Sequence, residues 1–336
     1  MTALLLVHGR SQQVAKELGR DQDAVDRYVA GKRRVWLAGL AKGFVLSGGG
    51  SVPADATYFP FYGNDLADAI AAYEAGGGPR PDLEAAGVDI AGLSREMVVE
   101  AAEEIGFLAS RHMIDHDAAT IDAVREVESL RTSGNEAGWS DLLQLKIARS
   151  ALQFLSDKTG TTEWVIEQFL RDVAYYLADD AMRDLVQGHL RRSIEQARDD
   201  GHDEIVVIAH SLGTVVAFDA LQDLPDGVTV RLFVTAGSPL GQKVVRRNLR
   251  GPDVGSESRP VPEAITPVAG RAAWVNAYDV RDVVATIHPL APLFTGGDAS
   301  IRDERTFNPL YPHAIDDYLS DPNVAGPIAQ ALAAGR

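Results

Sequence analysis

The sequence predicts an α/β protein in which a mostly parallel sheet is flanked by helices and interrupted by one large helical insertion. Three observations predict it. Short apolar runs rich in β-branched residues, the composition of strands buried on both faces, alternate with stretches of helical periodicity. One such run, Ile205 to Ile208, passes abruptly through Ala209-His210-Ser211-Leu212-Gly213 into a helical pattern from Thr214 to Leu221. Between about residues 76 and 200 the strand signal disappears while helical spacing persists.

Composition bounds the rest. The chain has 336 residues, 46% hydrophobic and 24% charged, which is enough apolar material for a substantial core. That length suits a core with a large insertion, or two domains. A formal net charge of −16 disfavours nucleic acid and anionic membranes as partners. Without cysteine there is no disulfide, no thiolate metal site and no cysteine nucleophile. No apolar run reaches transmembrane length, so no integral membrane segment is expected. The first seven residues enter a strand pattern directly, with no basic region or cleavage site, and a cytoplasmic protein is the expectation.

Taken in order, Ala3-Leu4-Leu5-Leu6-Val7 reads as a buried strand ending in His8-Gly9-Arg10. Asp21 to Lys42 places Val25, Tyr28, Val29, Trp36 and Leu40 at helical spacing, closed by Gly43. Ser47 to Ser51 is a glycine-rich loop. Residues 56–62 read as a strand, with Pro60 marking an edge or kink. Gly63-Asn64-Asp65 leads into a helix from Leu66 to Glu74, and Gly76-Gly77-Gly78-Pro79 is a boundary.

The insertion follows. Helical spacing recurs from Val98 to Leu108, Leu142 to Leu155, Ile166 to Leu177 and Met182 to Ile194. Met97 and Met113 add soft apolar surface suited to an adaptable pocket or an ordinary core. After the Ser211 corner, Val228 to Thr235 is a strand ending in Ala236-Gly237-Ser238-Pro239-Leu240-Gly241, residues 250–270 read as a surface loop, and Ala272 to Ala277 is the last clear strand. The expected organisation is a core of residues 1–75 and 203–336, with residues 76–202 as a helical cap or lid.

The corner at Ser211 carries the chemistry. A serine between a buried strand and a helix sits on a sharp elbow that holds its hydroxyl above the sheet edge. Flanking positions must be small, and Ala209 stands where the usual pattern G-x-S-x-G has glycine. An oxyanion formed by attack of Ser211 needs backbone donors. Leu212 supplies one N–H. Gly9 permits a tight turn that presents a second, that of Arg10, with His8 bracing the turn. A nucleophile on such an elbow is followed in the chain by an acid and then a histidine. Asp282 and Asp279 compete for the acid, and Asp282, ahead of Val283-Val284, is preferred with Asp279 as the alternative. His313 lies just before a helix reading Ile315 to Leu319 and suits the base, whereas His288 follows Asp282 too closely. His210, beside the nucleophile in sequence, should point away from it.

Leu-Leu-Val-His-Gly near the N-terminus, Ala-His-Ser-Leu-Gly, Ala-Gly-Ser-Pro-Leu-Gly, the stretch from Trp274 to Val284 and His313 together resemble lipase-like α/β-hydrolases. The likeness is nearest to bacterial members opening with His-Gly-x-x-x-Gln, here His8 to Gln12 or Gln13. It spans roughly the first 65 residues and 204–320, and leaves the insertion unmatched. What it implies is the α/β-hydrolase fold and a serine hydrolase of carboxylic esters needing no metal or cofactor, with a small-molecule or lipid-like acyl substrate. Esterases, thioesterases, amidases and acyltransferases share these motifs. Two other readings differ in kind. One is a non-catalytic binding module on the same fold. The other is a metal-dependent hydrolase using His112 and His116, four apart on a possible helix beside Asp115 and Asp117. Oligomeric state is not legible in the sequence.

Overall fold

The computed structural model describes residues 2–10, 12–15, 21–75, 97, 163–265, 272–309 and 311–334. The described chain runs β1 (Ala3–Val7), α1 (Gln22–Leu46), β2 (Thr57–Tyr58), α2 (Gly63–Ala75), α3 (Glu163–Ala178) and α4 (Asp180–Asp199). It continues through β3 (Glu204–His210), α5 (Leu212–Ala220), β4 (Thr229–Ala236), α6 (Lys243–Arg247), β5 (Arg259–Pro260) and β6 (Trp274–Tyr278). Last come β7 (Phe294–Thr295), α7 (Gly297–Ser300), β8 (Ile301–Arg305), α8 (Ile315–Ser320) and α9 (Pro322–Ala333).

Six strands form one sheet in the order β2-β1-β3-β4-β6-β8, and every neighbouring pair is parallel. After β1 the chain moves outward to β2. It returns as β3 on the other side of β1 and then moves outward in the opposite direction. The strand order therefore reverses between β1 and β3, and ligands of open α/β sheets bind beyond the strand carboxyl ends at such a point. His8-Gly9-Arg10 and His210-Ser211-Leu212 both lie there.

Alternate side chains of each strand feed two apolar layers. Leu5, Val7, Ile205, Val207, Phe233 and Trp274 face α2, α4 and α5 through Leu66, Val186, Leu190, Ile194, Val215 and Phe218. Leu4, Leu6, Val206, Ile208, Val234 and Val275 face α1, α8 and α9 through Trp36, Leu40, Phe44, Tyr318, Leu319 and Ile328. Burial on both faces explains why these strands read as unbroken apolar runs. Each buried aliphatic side chain contributes roughly 1.5–3 kcal/mol.

The structure departs from expectation at several points. The last strand is β8, not Ala272 to Ala277. Its sequence Ile301-Arg302-Asp303-Glu304-Arg305 is charged because it is an edge strand with only Ile301 fully inside. The strand expected over 56–62 is only Thr57–Tyr58, at the opposite edge. Gly43 does not close α1, which continues to Leu46 with Ser47 as its cap. A methyl group at Gly43 would overlap the Leu319 carbonyl and Ala325, so its smallness serves the crossing of α8 and α9. Residues 250–270 are not all surface loop: Arg259 is buried, and its guanidinium donates to the carbonyls of Arg246, Leu249 and Arg250.

Within the expected insertion, α4 packs on α2, α5 and β1. Its apolar stripe is thus a sheet-covering layer, and Asp179 caps its start by accepting from the amides of Ala181 and Met182. Helix α3 precedes it and packs against it. Met97 is buried in the same layer. Apart from Met97, residues 76–162 lie outside the described set, as do His112, Met113 and His116.

Candidate active site

Ser211 links β3 to α5 with φ 57° and ψ −134°. Among the described residues only Asp253 shares a positive φ without being glycine. Such a conformation costs about 1–3 kcal/mol and persists only where neighbours enforce it. Here the Ser211 N–H donates to the Ala236 carbonyl at 3.0 Å. Its own carbonyl accepts from the Thr214 amide at 2.9 Å and the Thr214 hydroxyl at 2.8 Å. Ser211 is 2% exposed, and its Oγ is buried without a hydrogen bond.

The turn after β1 presses against this serine. A Cβ built on Gly9 would lie 2.6 Å from Ser211 Cβ and 3.1 Å from Ser211 Oγ. No residue with a side chain fits there. A methyl at Gly213 would likewise overlap the carbonyl oxygens of Val7 and His8, so the small position behind the elbow answers to β1. Leu212 occupies the first position of α5, where an amide has no intrahelical acceptor. Arg10 follows Gly9, and its guanidinium is bound to Asp172 of α3 at 2.7 Å.

His8 is bonded within the turn and to Tyr62. Its Nδ1 lies 2.6 Å from the Gly9 carbonyl and its Nε2 accepts the Tyr62 amide at 3.3 Å. The Tyr62 hydroxyl donates to the His8 carbonyl. These partners require a neutral ring protonated on Nδ1. Complete burial favours the same state and depresses the His8 pKa to about 4; the Gly9 hydrogen bond opposes the shift, and the charges of Lys32 and His189 add to it.

The two carboxylates have different occupations. Asp282 is 1% exposed, and its Oδ2 accepts from His313 Nδ1 at 2.7 Å and from the Tyr318 hydroxyl at 2.7 Å. Its Oδ1 accepts the Val284 amide at 2.9 Å. Asp279 holds the loop instead. It accepts from the Arg281 guanidinium at 2.7 and 3.1 Å, from the Arg281 amide at 2.9 Å and from the Asn308 amide at 2.7 Å. His313 is thus joined to Asp282 and not to Asp279. Gly237, with φ 56°, lies against the pair: a Cβ there would approach Asp282 Oδ2 to 2.7 Å and His313 Nδ1 to 2.8 Å.

His210 meets His313. Its Nε2 donates to the His313 carbonyl at 3.0 Å, and the two rings stand 4.4 Å apart. Burial, reinforced by the His313 charge, holds the His210 imidazole well below its ordinary pKa. His288 is elsewhere, stacked on Tyr278 at 4.2 Å with Nδ1 3.0 Å from the Ala285 carbonyl.

Sequence reasoning missed Tyr318, Gly237 and the Arg281–Asn308 clasp on Asp279. The glycine directly after the Ala236 strand end was a usable signal; a tyrosine five residues past His313 was not. Among the described residues no group of three or more His, Asp or Glu side chains is arranged to hold a metal ion. No helix among them is long and apolar enough to cross a membrane. No family model, curated protein or solved structure matches the chain.

Proposed function

We propose that the protein is a serine hydrolase of the α/β-hydrolase type that cleaves a carboxylic ester through an acyl-enzyme. One observation carries the reading: the Asp282–His313 pair sits against Gly237, next in chain to Ala236, which takes the N–H of the strained Ser211. Ser211, Asp282 and His313 lie in three separate segments that follow the carboxyl ends of β3, β6 and β8.

In this reading His313 Nε2 removes the Ser211 Oγ proton as Oγ bonds to the ester carbonyl carbon. The carbonyl electrons move to oxygen, which faces the N–H groups of Arg10 and Leu212. Asp282, acceptor of the Nδ1–H, stabilises the imidazolium. The ring then protonates the departing alkoxide, leaving acyl-Ser211 and a free alcohol. Water, deprotonated by the same nitrogen, adds to the acyl carbon and releases the acid, restoring Ser211. The buried Ser211 Oγ makes no hydrogen bond in the structure; in this reading the Oγ–His313 Nε2 bond forms with substrate in place, as catalytic hydrogen bonds commonly do. Thioesters, amides and acyl transfer require the same steps with a different leaving group or acceptor.

The test is covalent. A fluorophosphonate probe should modify Ser211, located by peptide mass spectrometry, and p-nitrophenyl esters of graded chain length should be hydrolysed. An unmodified Ser211 together with no turnover of any ester would leave a binding module on this fold as the better reading.

A further inference from the structure

We infer that Tyr318 is a positioning residue for the Asp282–His313 pair, fixing the direction of Asp282 Oδ2 and sharing that oxygen's negative charge with the imidazole. The hydrogen bonding stands on its own, and only its catalytic consequence rests on the serine-hydrolase reading.

The direction of the bond follows from counting protons. The Tyr318 oxygen accepts the Asp279 amide N–H at 3.0 Å. Its single proton then goes to the other partner, Asp282 Oδ2 at 2.7 Å. Burial, then the Asp282 charge, pushes the phenol pKa well above its ordinary value, so that proton stays on oxygen. Asp282 Oδ2 therefore holds two donors, Tyr318 O–H and His313 Nδ1–H, while the Val284 amide occupies Oδ1. With the carboxylate buried, these three donors decide its rotation about the Cβ–Cγ bond.

The placement of Tyr318 adds to this. It lies on α8, the helix that begins two residues after His313, and is itself fully buried. That helix is seated on α1, where a Cβ at Gly39 would come within 2.5 Å of the Asp316 carbonyl. Both donors to Oδ2 thus come from one short stretch of chain, His313 just ahead of α8 and Tyr318 on it. The Asp279 N–H bond ties the loop bearing both carboxylates to the same hydroxyl.

The experiment reads the His313 Nδ1–H proton by NMR, assigned by its loss in His313→Gln. In Tyr318→Phe the oxygen is no longer shared, the His313 hydrogen bond strengthens, and the resonance moves downfield. Site-specific replacement of Tyr318 by 3-fluorotyrosine, whose more acidic phenol donates more strongly, moves it upfield. A resonance unchanged in both proteins overturns the inference and reduces Tyr318 to a core-filling aromatic. If Tyr318→Phe does not fold, the fluorinated protein decides alone. Neither measurement needs turnover, so an inert Ser211 would sink the hydrolase reading without touching this one.

Discussion

The Ser211 amide donates to the Ala236 carbonyl at 3.0 Å, tying the residue between β3 and α5 to the end of β4. That bond helps sustain the positive φ of Ser211, because releasing it would strand a buried N–H and C=O at a cost of about 1–3 kcal/mol. It also sets the place of the next residue. Gly237 turns the chain at φ 56° with no side chain, and the Asp282–His313 pair fills the space a methyl group would need. Ser211 and the Asp282–His313 pair are thereby both set against the chain at Ala236-Gly237.

Gly237→Ala tests that registration. The new methyl would collide with Asp282 Oδ2 and His313 Nδ1 in a conformation alanine disfavours. Urea denaturation should show a loss of about 1–3 kcal/mol. Ester turnover by the folded fraction should fall on the order of 10²-fold, the usual result of misplacing a catalytic group by about 1 Å. Wild-type turnover in this variant would separate the pair from the chemistry.

Ser211→Ala should abolish fluorophosphonate labelling and lower kcat on the order of 10⁴–10⁶-fold, as expected when a unit of this kind is broken. Stability should hold or rise, since Oγ makes no hydrogen bond and is simply buried. Turnover that survives the substitution would remove the serine mechanism.

The two carboxylates should separate cleanly. Asp282→Asn should lower kcat by about 10⁴-fold with the fold intact, because the amide selects the wrong histidine tautomer. Asp279→Asn should act on the loop: it weakens the buried end of the Arg281 ion pair and should lower the melting temperature more than it lowers kcat on folded protein. Comparing kcat and thermal denaturation for both variants checks the assignment, and the opposite pattern would exchange the two roles.

How far this was legible follows from burial. β1, β3 and β4 could be read because both faces are covered, leaving runs such as Ile205 to Ile208 with no polar interruption. β8 could not, because an edge strand keeps charged residues and looks like a loop. The strand–Ser211–helix corner was legible from local context, and chain order singled out His313, which the structure joins to Asp282. The choice between Asp279 and Asp282 was not decidable by spacing, since both occupy one turn; what separates them is that Arg281 and Asn308 converge on one and His313 on the other. Helix α4 was read as part of a cap because an amphipathic stripe looks the same whichever surface it covers.

Acid should destabilise the protein through His8. Burial depresses its folded pKa to about 4, against about 6.5 in an unfolded chain. Between those values the unfolded state binds the extra proton, so stability falls as pH drops below about 6.5, and the loss levels off below about 4. The difference of roughly 2.5 units corresponds to about 3 kcal/mol between pH 7 and pH 4. Urea midpoints across that range should fall more steeply for the wild type than for His8→Gln, which has no ionisable group there. Equal slopes would show that His8 titrates alike in both states.

The last prediction concerns Arg10 and Asp172, which join the turn after β1 to α3 at 2.7 Å with both side chains largely withdrawn from solvent. Arg10 carries the amide proposed as one oxyanion donor, and α3 belongs to the segment expected to cover the serine. The ion pair therefore makes the position of that amide depend on the position of α3. Breaking it from either side should have the same consequence. Arg10→Met and Asp172→Asn should each lower kcat, with a ceiling near the 10²–10³-fold typical of losing one oxyanion donor. The double variant should be no worse than the more damaged single one, because residues acting as a unit give non-additive effects. A cycle of kcat values on one short-chain p-nitrophenyl ester measures this directly. Effects that multiply would mean that α3 and the turn act independently, and the segment before α4 would then be better read as a surface for a partner than as a cover for Ser211.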